Sequence, residues 1–203
     1  MQIVSGTAAP RALTDPPLVV IAASAGGIQA LRLILAGLPA DFPAAVLVVQ
    51  HLEPGRPSRL AEVLGYVCPL PVAEAAGGEP LEAGRVFVAP PGHHMVVGED
   101  GRLELSDAPP VRFSRPSADP LFASVAERCG ECAVAVVLTG LDSDGSAGVR
   151  AVKARGGTVL VQDPATAREG SMPLHAIATG TADEIVPLEL IAARIVQAVT
   201  QGA

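Results

Sequence analysis

Tryptophan is absent from this chain, and one tyrosine and four phenylalanines supply all its aromatic residues, 2% of the 203 positions. A core must therefore be built from Val, Leu, Ile and Ala, a composition that suits buried parallel strands covered by helices on both faces. Basic residues are also few, 14 Lys and Arg against 21 Asp and Glu, and they are scattered. That excludes nucleic acid as a partner, because binding a phosphate backbone needs clustered positive charge. Cysteine occurs at 68, 129 and 132 only, too few for a disulfide framework, which points to a reducing compartment. Cys129-Gly130-Glu131-Cys132 is a CxxC, but no second pair completes a zinc site, so neither metal nor cofactor is expected. The longest uncharged apolar run, Pro16 to Leu31, includes Gly26 and Gly27 and is too short to span a bilayer. The first residues carry no basic segment followed by an apolar one, so no signal peptide is read there. A soluble, cytoplasmic protein without membrane insertion is the expectation.

Apolar residues make up 49% of the chain, and at this length about 70% of the unfolded surface can be buried in one domain. Residues 1–17, with Gly6, Pro10, Pro16 and Pro17, read as a flexible leader, and 18–200 as a single catalytic domain. Runs at 18–23, 45–50, 85–90, 133–140 and 158–162 read as strands, with 133–140, the most apolar, placed centrally. Between them lie helical patterns: one with Leu31, Ile34, Leu35 and Leu38 ended by Pro39, then others at 58–67, 120–130, 145–155 and 187–201. Residues 94–105 alternate around Asp100-Gly101 as a hairpin. Strand and helix alternate, so the predicted fold is α/β: a doubly wound, mainly parallel sheet with helices on both faces and an antiparallel hairpin. Sites in such sheets lie beyond the carboxyl ends of the strands, near the reversal of strand order.

Three side chains follow predicted strands at that edge. Ser24 stands in Ala22-Ala23-Ser24-Ala25-Gly26, an approximate nucleophile elbow opening a helix whose free amides suit a developing oxyanion. The bland alternatives are a helix cap or a phosphate loop. His51 follows the second strand, and imidazole is the usual base for a serine hydroxyl; taken alone, a loop histidine bonded to backbone is the better reading. Asp144, in Leu141-Asp142-Ser143-Asp144-Gly145, can fix the imidazole, or cap the helix beginning near Gly145, with Asp142 competing for either role. As a calcium loop the run fails, since its twelfth position is Lys153. His93 and His94 form a loop or site-rim element, and His175 lies on a helix in a structural role.

IAASAGGIQAL, VVQHLEPG, VFVAPPGHHM, RPSADPLF, LTGLDSDGSAGV and VQDPATAREGSMPLHAI, in this order, resemble the catalytic domain of the CheB-type protein-glutamate methylesterases of bacterial chemotaxis. The resemblance covers residues 18 to about 198. It implies Ser24 as nucleophile, His51 as base and Asp144 as orienting carboxylate, acting on γ-glutamyl methyl esters of a methylated chemoreceptor, with glutamine deamidation as a further activity. The chain departs from the family pattern at Ala25, where members commonly carry Thr, and at Leu141-Asp142, where they commonly carry Met-Gly. The receiver domain that usually precedes this domain is missing, so the expectation is either constitutive activity or gating by a regulatory partner protein. The competing readings are an esterase or amidase on another acyl substrate, a non-catalytic signalling module, and a nucleotide-binding domain. A missing GxGxxG disfavours the last.

Overall fold

The computed structural model describes residues 16–53 and 55–201, so the expected leader falls almost wholly outside the described residues. The chain runs β1 (Leu18–Ala23), α1 (Gly27–Ala36), β2 (Ala45–Gln50), α2 (Leu60–Gly65), β3 (Val72–Glu74) and β4 (Val86–Val88). A hairpin of β5 (His94–Val97) and β6 (Leu103–Ser106) follows, then α3 (Ala118–Cys129), β7 (Ala133–Val137), α4 (Ser146–Ala154) and β8 (Thr158–Gln162). The chain closes with α5 (Ser171–Ile177), β9 (Glu184–Val186) and α6 (Ile191–Gln201).

Seven parallel strands form one sheet in the order β3-β4-β2-β1-β7-β8-β9, and β5 and β6 pair antiparallel outside it. Every residue of β1 is buried, because successive side chains enter different cores. Val20 and Ala22 pack with Phe122, Val125, Val149 and Met172 on the face covered by α3, α4 and α5. Val19 and Ile21 pack with Leu31, Ile34 and Ile195 on the face covered by α1, α2 and α6. Both faces are dry, hence the continuous apolar strand sequences. Removing one fully buried side chain such as Leu35 would cost about 2–5 kcal/mol, lost transfer energy plus the cavity left behind.

Three details differ from the sequence reading. The middle of the sheet is β1, with three strands on each side, and the more apolar β7 stands next to it. Helix α1 ends not at Pro39 but at Gly37, whose N–H closes onto the Ile34 and Leu35 carbonyls. Cys129 and Cys132 are joined by a disulfide, Cα atoms 5.3 Å apart, leaving Cys68 as the free thiol. The cysteines therefore do not argue for a reducing compartment. Among the described residues no helix is long and apolar enough to cross a membrane.

From β1 the chain moves outward through β2 to β4 on one side, then crosses by way of α3 to β7, β8 and β9 on the other. The reversal falls between β1 and β7, so the crevice expected in such folds lies beyond their carboxyl ends.

Candidate active site

Ser24 is the first residue after β1. Its N–H donates to the Thr139 carbonyl at 2.9 Å and its carbonyl accepts from Gly27 at 2.8 Å. It does not cap α1: the N-cap is Gly26, left-handed with φ 81°, and no side chain caps that end. The turn also differs from a strained nucleophile elbow, since among the described non-glycine residues only Arg112 and Phe113 have positive φ. The left-handed step is delegated to Gly26, which adopts it without a Cβ penalty. Gly140 is required for another reason: a Cβ there would run into the Met172 side chain and the Ser24 Cβ.

Parallel register brings His51 beside Ser24. Ala23 is paired with Gln50, and the His51 N–H donates to the Ala23 carbonyl at 3.1 Å, so the next residue of each strand is Ser24 on one and His51 on the other. The Gln50 side chain sits between them, buried, its Nε2 donating to the carbonyls of Ser24 at 2.9 Å and His51 at 3.1 Å.

The loop after β7 brings two carboxylates to the His51 ring. Asp144 Oδ2 lies 2.7 Å from Nε2 and Asp142 Oδ2 lies 3.2 Å from Nδ1. Asp144 has a side-chain exposure of 0%, Asp142 of 34%. Asp144 is held rigidly: it accepts from the Ser117 hydroxyl at 2.7 Å and from the amides of Ala118, Asp119 and Gly145. Its charge therefore faces the N-terminus of α3, where free N–H groups and the helix dipole favour an anion. The capping alternative for Asp144 thus applies to a different helix. Asp119, in exchange, accepts from the amides of Ala147 and Gly148 at the start of α4. Burial would drive the His51 pKa down, but the hydrogen bonds to Asp142 and Asp144 outweigh it and hold it up at about 9. For Asp144, burial pushes upward and is outweighed by His51, the Ala118 amide and the Ser117 hydroxyl, leaving the carboxyl below its usual range.

Sequence reasoning passed over the buried polar frame around these groups. Thr139 donates to the Ala25 carbonyl at 2.8 Å and accepts from the Glu169 amide at 2.8 Å, while Gln162 accepts from the Thr139 amide at 2.9 Å. The signal was present: Gln50 and Gln162 each end a strand directly after an apolar run, where a polar side chain must find partners. His94 is buried and structural, its Nδ1 accepting from the Ser117 amide at 3.2 Å and its Nε2 donating to the Pro109 carbonyl. His93 pairs with Asp107 on the surface, and His175 lies exposed on α5 against Ser171. Cys129 and Cys132 stand at the opposite, amino end of β7.

The family model for CheB methylesterase matches residues 19–195. The chain belongs to the CheB methylesterase family. It is 46% identical over 184 residues to the protein-glutamate methylesterase/protein-glutamine glutaminase 2 of Anaeromyxobacter dehalogenans, an alignment covering 91% of this chain and 54% of that protein. It is 42% identical to the corresponding protein of Symbiobacterium thermophilum, over 91% of this chain and 51% of the relative. The chain thus spans about half the length of these curated relatives. Among solved structures it is similar to the CheB methylesterase catalytic domain of Thermotoga maritima, with TM-score 0.86 and 34% identity over 91% of this chain and 99% of that one. The α/β architecture and the membership agree with the expectation from the motifs.

Proposed function

We propose that this chain is a serine esterase acting on γ-methyl esters of protein glutamates, with Ser24 as nucleophile, His51 as base and Asp144 as the carboxylate that orients the base. The observation that supports it best is the buried Asp144–His51 contact of 2.7 Å at the strand end adjoining Ser24, in a chain of this family. The names of its relatives, protein-glutamate methylesterase/protein-glutamine glutaminase, supply the substrate class, and a methylated chemoreceptor is the substrate we infer.

A serine hydroxyl is too weakly acidic to attack an ester unaided. In the reaction we infer, neutral His51 takes the Ser24 proton as Oγ attacks the γ-carbonyl, and Asp144 stabilises the imidazolium that forms. The amides of Ala25 and Gly26, which have no acceptor among the described residues, lie at the α1 N-terminus and suit the developing oxyanion. Methanol leaves with the proton from His51. Water then enters, His51 deprotonates it, and the acyl-enzyme is hydrolysed to the free glutamate. An amide in place of the ester gives ammonia by the same steps, so deamidation needs no further group.

The test is methanol release from a methylated receptor by the wild type and Ser24→Ala. Release by the wild type, abolished in the variant, supports the assignment. Full activity in the variant overturns it, and activity on small acyl esters with none on the receptor would favour another acyl substrate.

A further inference from the structure

Both ring nitrogens of His51 face carboxylates, and among the described residues Ser24 Oγ has no hydrogen bond to either nitrogen. A neutral imidazole has one N–H and one lone pair, so it can donate to only one of two carboxylates. Both carboxyls are held below their usual range and so ionised, and two carboxylates are satisfied together only by the doubly protonated ring, which cannot accept the serine proton. The site as it stands is therefore in a resting form.

We propose that Asp142 competes with Ser24 for His51 Nδ1, clamping the base in a resting state that opens when the Asp142 side chain swings away. This rests on the triad reading above and adds to it a positioning residue that acts against the reaction.

The two carboxylates are unequally anchored, and that decides which one moves. Besides His51, Asp144 is held by four donors from α3 and the β7–α4 loop. Asp142 has, besides His51, only the Asp144 N–H donating to its Oδ1 at 2.9 Å, and a third of its side chain is in contact with solvent. Rotating Asp142 outward gives up its contacts with His51 and with the Asp144 N–H, at a partly exposed position where water replaces them. The ring then loses one proton to solvent, keeps its N–H toward Asp144, and offers the Nδ1 lone pair to Ser24 on the adjoining strand. The charged groups facing the ring are these two aspartates; from α3, Asp119 stands behind Asp144, paired with Arg112 at 3.5 Å. The raised pKa of His51, about 9, is the electrostatic counterpart of the clamp. Asp142 is correspondingly held below the usual carboxylate range, burial being outweighed by its bond to His51.

The experiment measures labelling of Ser24 by a fluorophosphonate from pH 6 to 10 in the wild type, Asp142→Asn and Asp142→Ser, alongside NMR titration of the His51 ring. Both variants remove the negative charge and keep an acceptor for the Asp144 amide. The wild type is expected to label with a limb near pH 9 that tracks the ring titration. In both variants the limb moves down by at least one unit, and labelling at pH 7 rises by about tenfold or more, since one pKa unit is tenfold in available base. Superimposable profiles, or slower labelling of the variants at pH 7, overturn the clamp while leaving the triad reading standing. Absence of Ser24 labelling at every pH overturns the triad reading and the clamp with it. Titration of the wild-type ring near its ordinary 6.5 overturns the clamp without need of any variant.

Discussion

The two ends of the seven-stranded sheet are built from different chemistry. At the carboxyl end lie the buried polar side chains of the described residues: Gln50, His94, Ser117, Thr139, Asp144, Ser146 and Gln162. At the amino end β1, β2, β3, β4 and β7 start from apolar residues, and closure comes from backbone pairing, the Lys153–Asp183 ion pair and the Cys129–Cys132 disulfide. Burying polar groups is costly unless each finds a partner, so such a network is retained where geometry must be fixed. Here it fixes backbone: Gln50 ties the carbonyls of Ser24 and His51, and Thr139 ties the Ala25 carbonyl to the Glu169 amide. The amino end holds the fold together; the carboxyl end holds particular atoms in place.

Substitutions at the carboxyl end should then alter rate far more than those at the amino end. Largest of all, Ser24→Ala and His51→Ala should lower the chemical step by roughly 10⁴–10⁶-fold and Asp144→Asn by about 10⁴, with non-additive doubles, as single-turnover methanol release would report. Retention of most activity by Ser24→Ala would break the comparison outright. Gln50→Leu removes the clamp on two carbonyls while preserving bulk, and should cut kcat by about tenfold to a hundredfold, because small misplacements of reacting groups are costly. Its KM should change little. A loss confined to thermal stability would show Gln50 to be packing alone.

The charge state of His51 separates the two ends by pH. Its folded pKa, about 9, lies above the unfolded value near 6.5. Its contribution to stability is therefore complete below pH 6.5 and is lost as pH rises through about 9. The difference in Tm between wild type and His51→Gln should shrink steadily from pH 6 to 10. The same scan on Lys153→Gln reports an exposed ion pair and should show a difference of well under about 1 kcal/mol. Equal slopes would mean that the clamp is no stronger than a surface contact.

How much of this could be read from sequence differs element by element. β1, β2 and β8 match their predicted bounds because strands covered on both faces leave an unbroken apolar run between turn residues. β3 and β9 leave no mark in the sequence pattern: each is a three-residue strand at a sheet edge, partly exposed, and so without a periodic signature. The helix predicted for 58–67 is six residues, Leu60–Gly65. Ser24, His51 and Asp144 were legible as candidates because each follows an apolar strand. What sequence could not supply is the register that sets Ser24 beside His51, or the loop geometry that puts Asp142 on one ring nitrogen and Asp144 on the other. Nor could it show that Asp144 and Asp119 serve the N-termini of each other's helices, which depends on how α3 and α4 pack.

The smallest effect is expected at Cys129 and Cys132. The disulfide closes a loop of only three residues' separation, from the last residue of α3 to Cys132, just before β7. Loop-closure entropy grows with the logarithm of loop length, so a link this short contributes about 2 kcal/mol at most. It also sits at the start of β7, while Thr139, Asp142 and Asp144 follow that strand's other end. Between them runs a strand hydrogen-bonded to β1 on one side and to β8 on the other, which holds its far end in place whether or not the disulfide is formed. Replacing both cysteines by Ala, or reducing the bond, should lower Tm by a few degrees and leave kcat and KM within about twofold, as parallel melting and methanol-release measurements would show. A drop in turnover beyond tenfold with the fold intact would mean that the two ends are coupled, and the division of labour between them would fail.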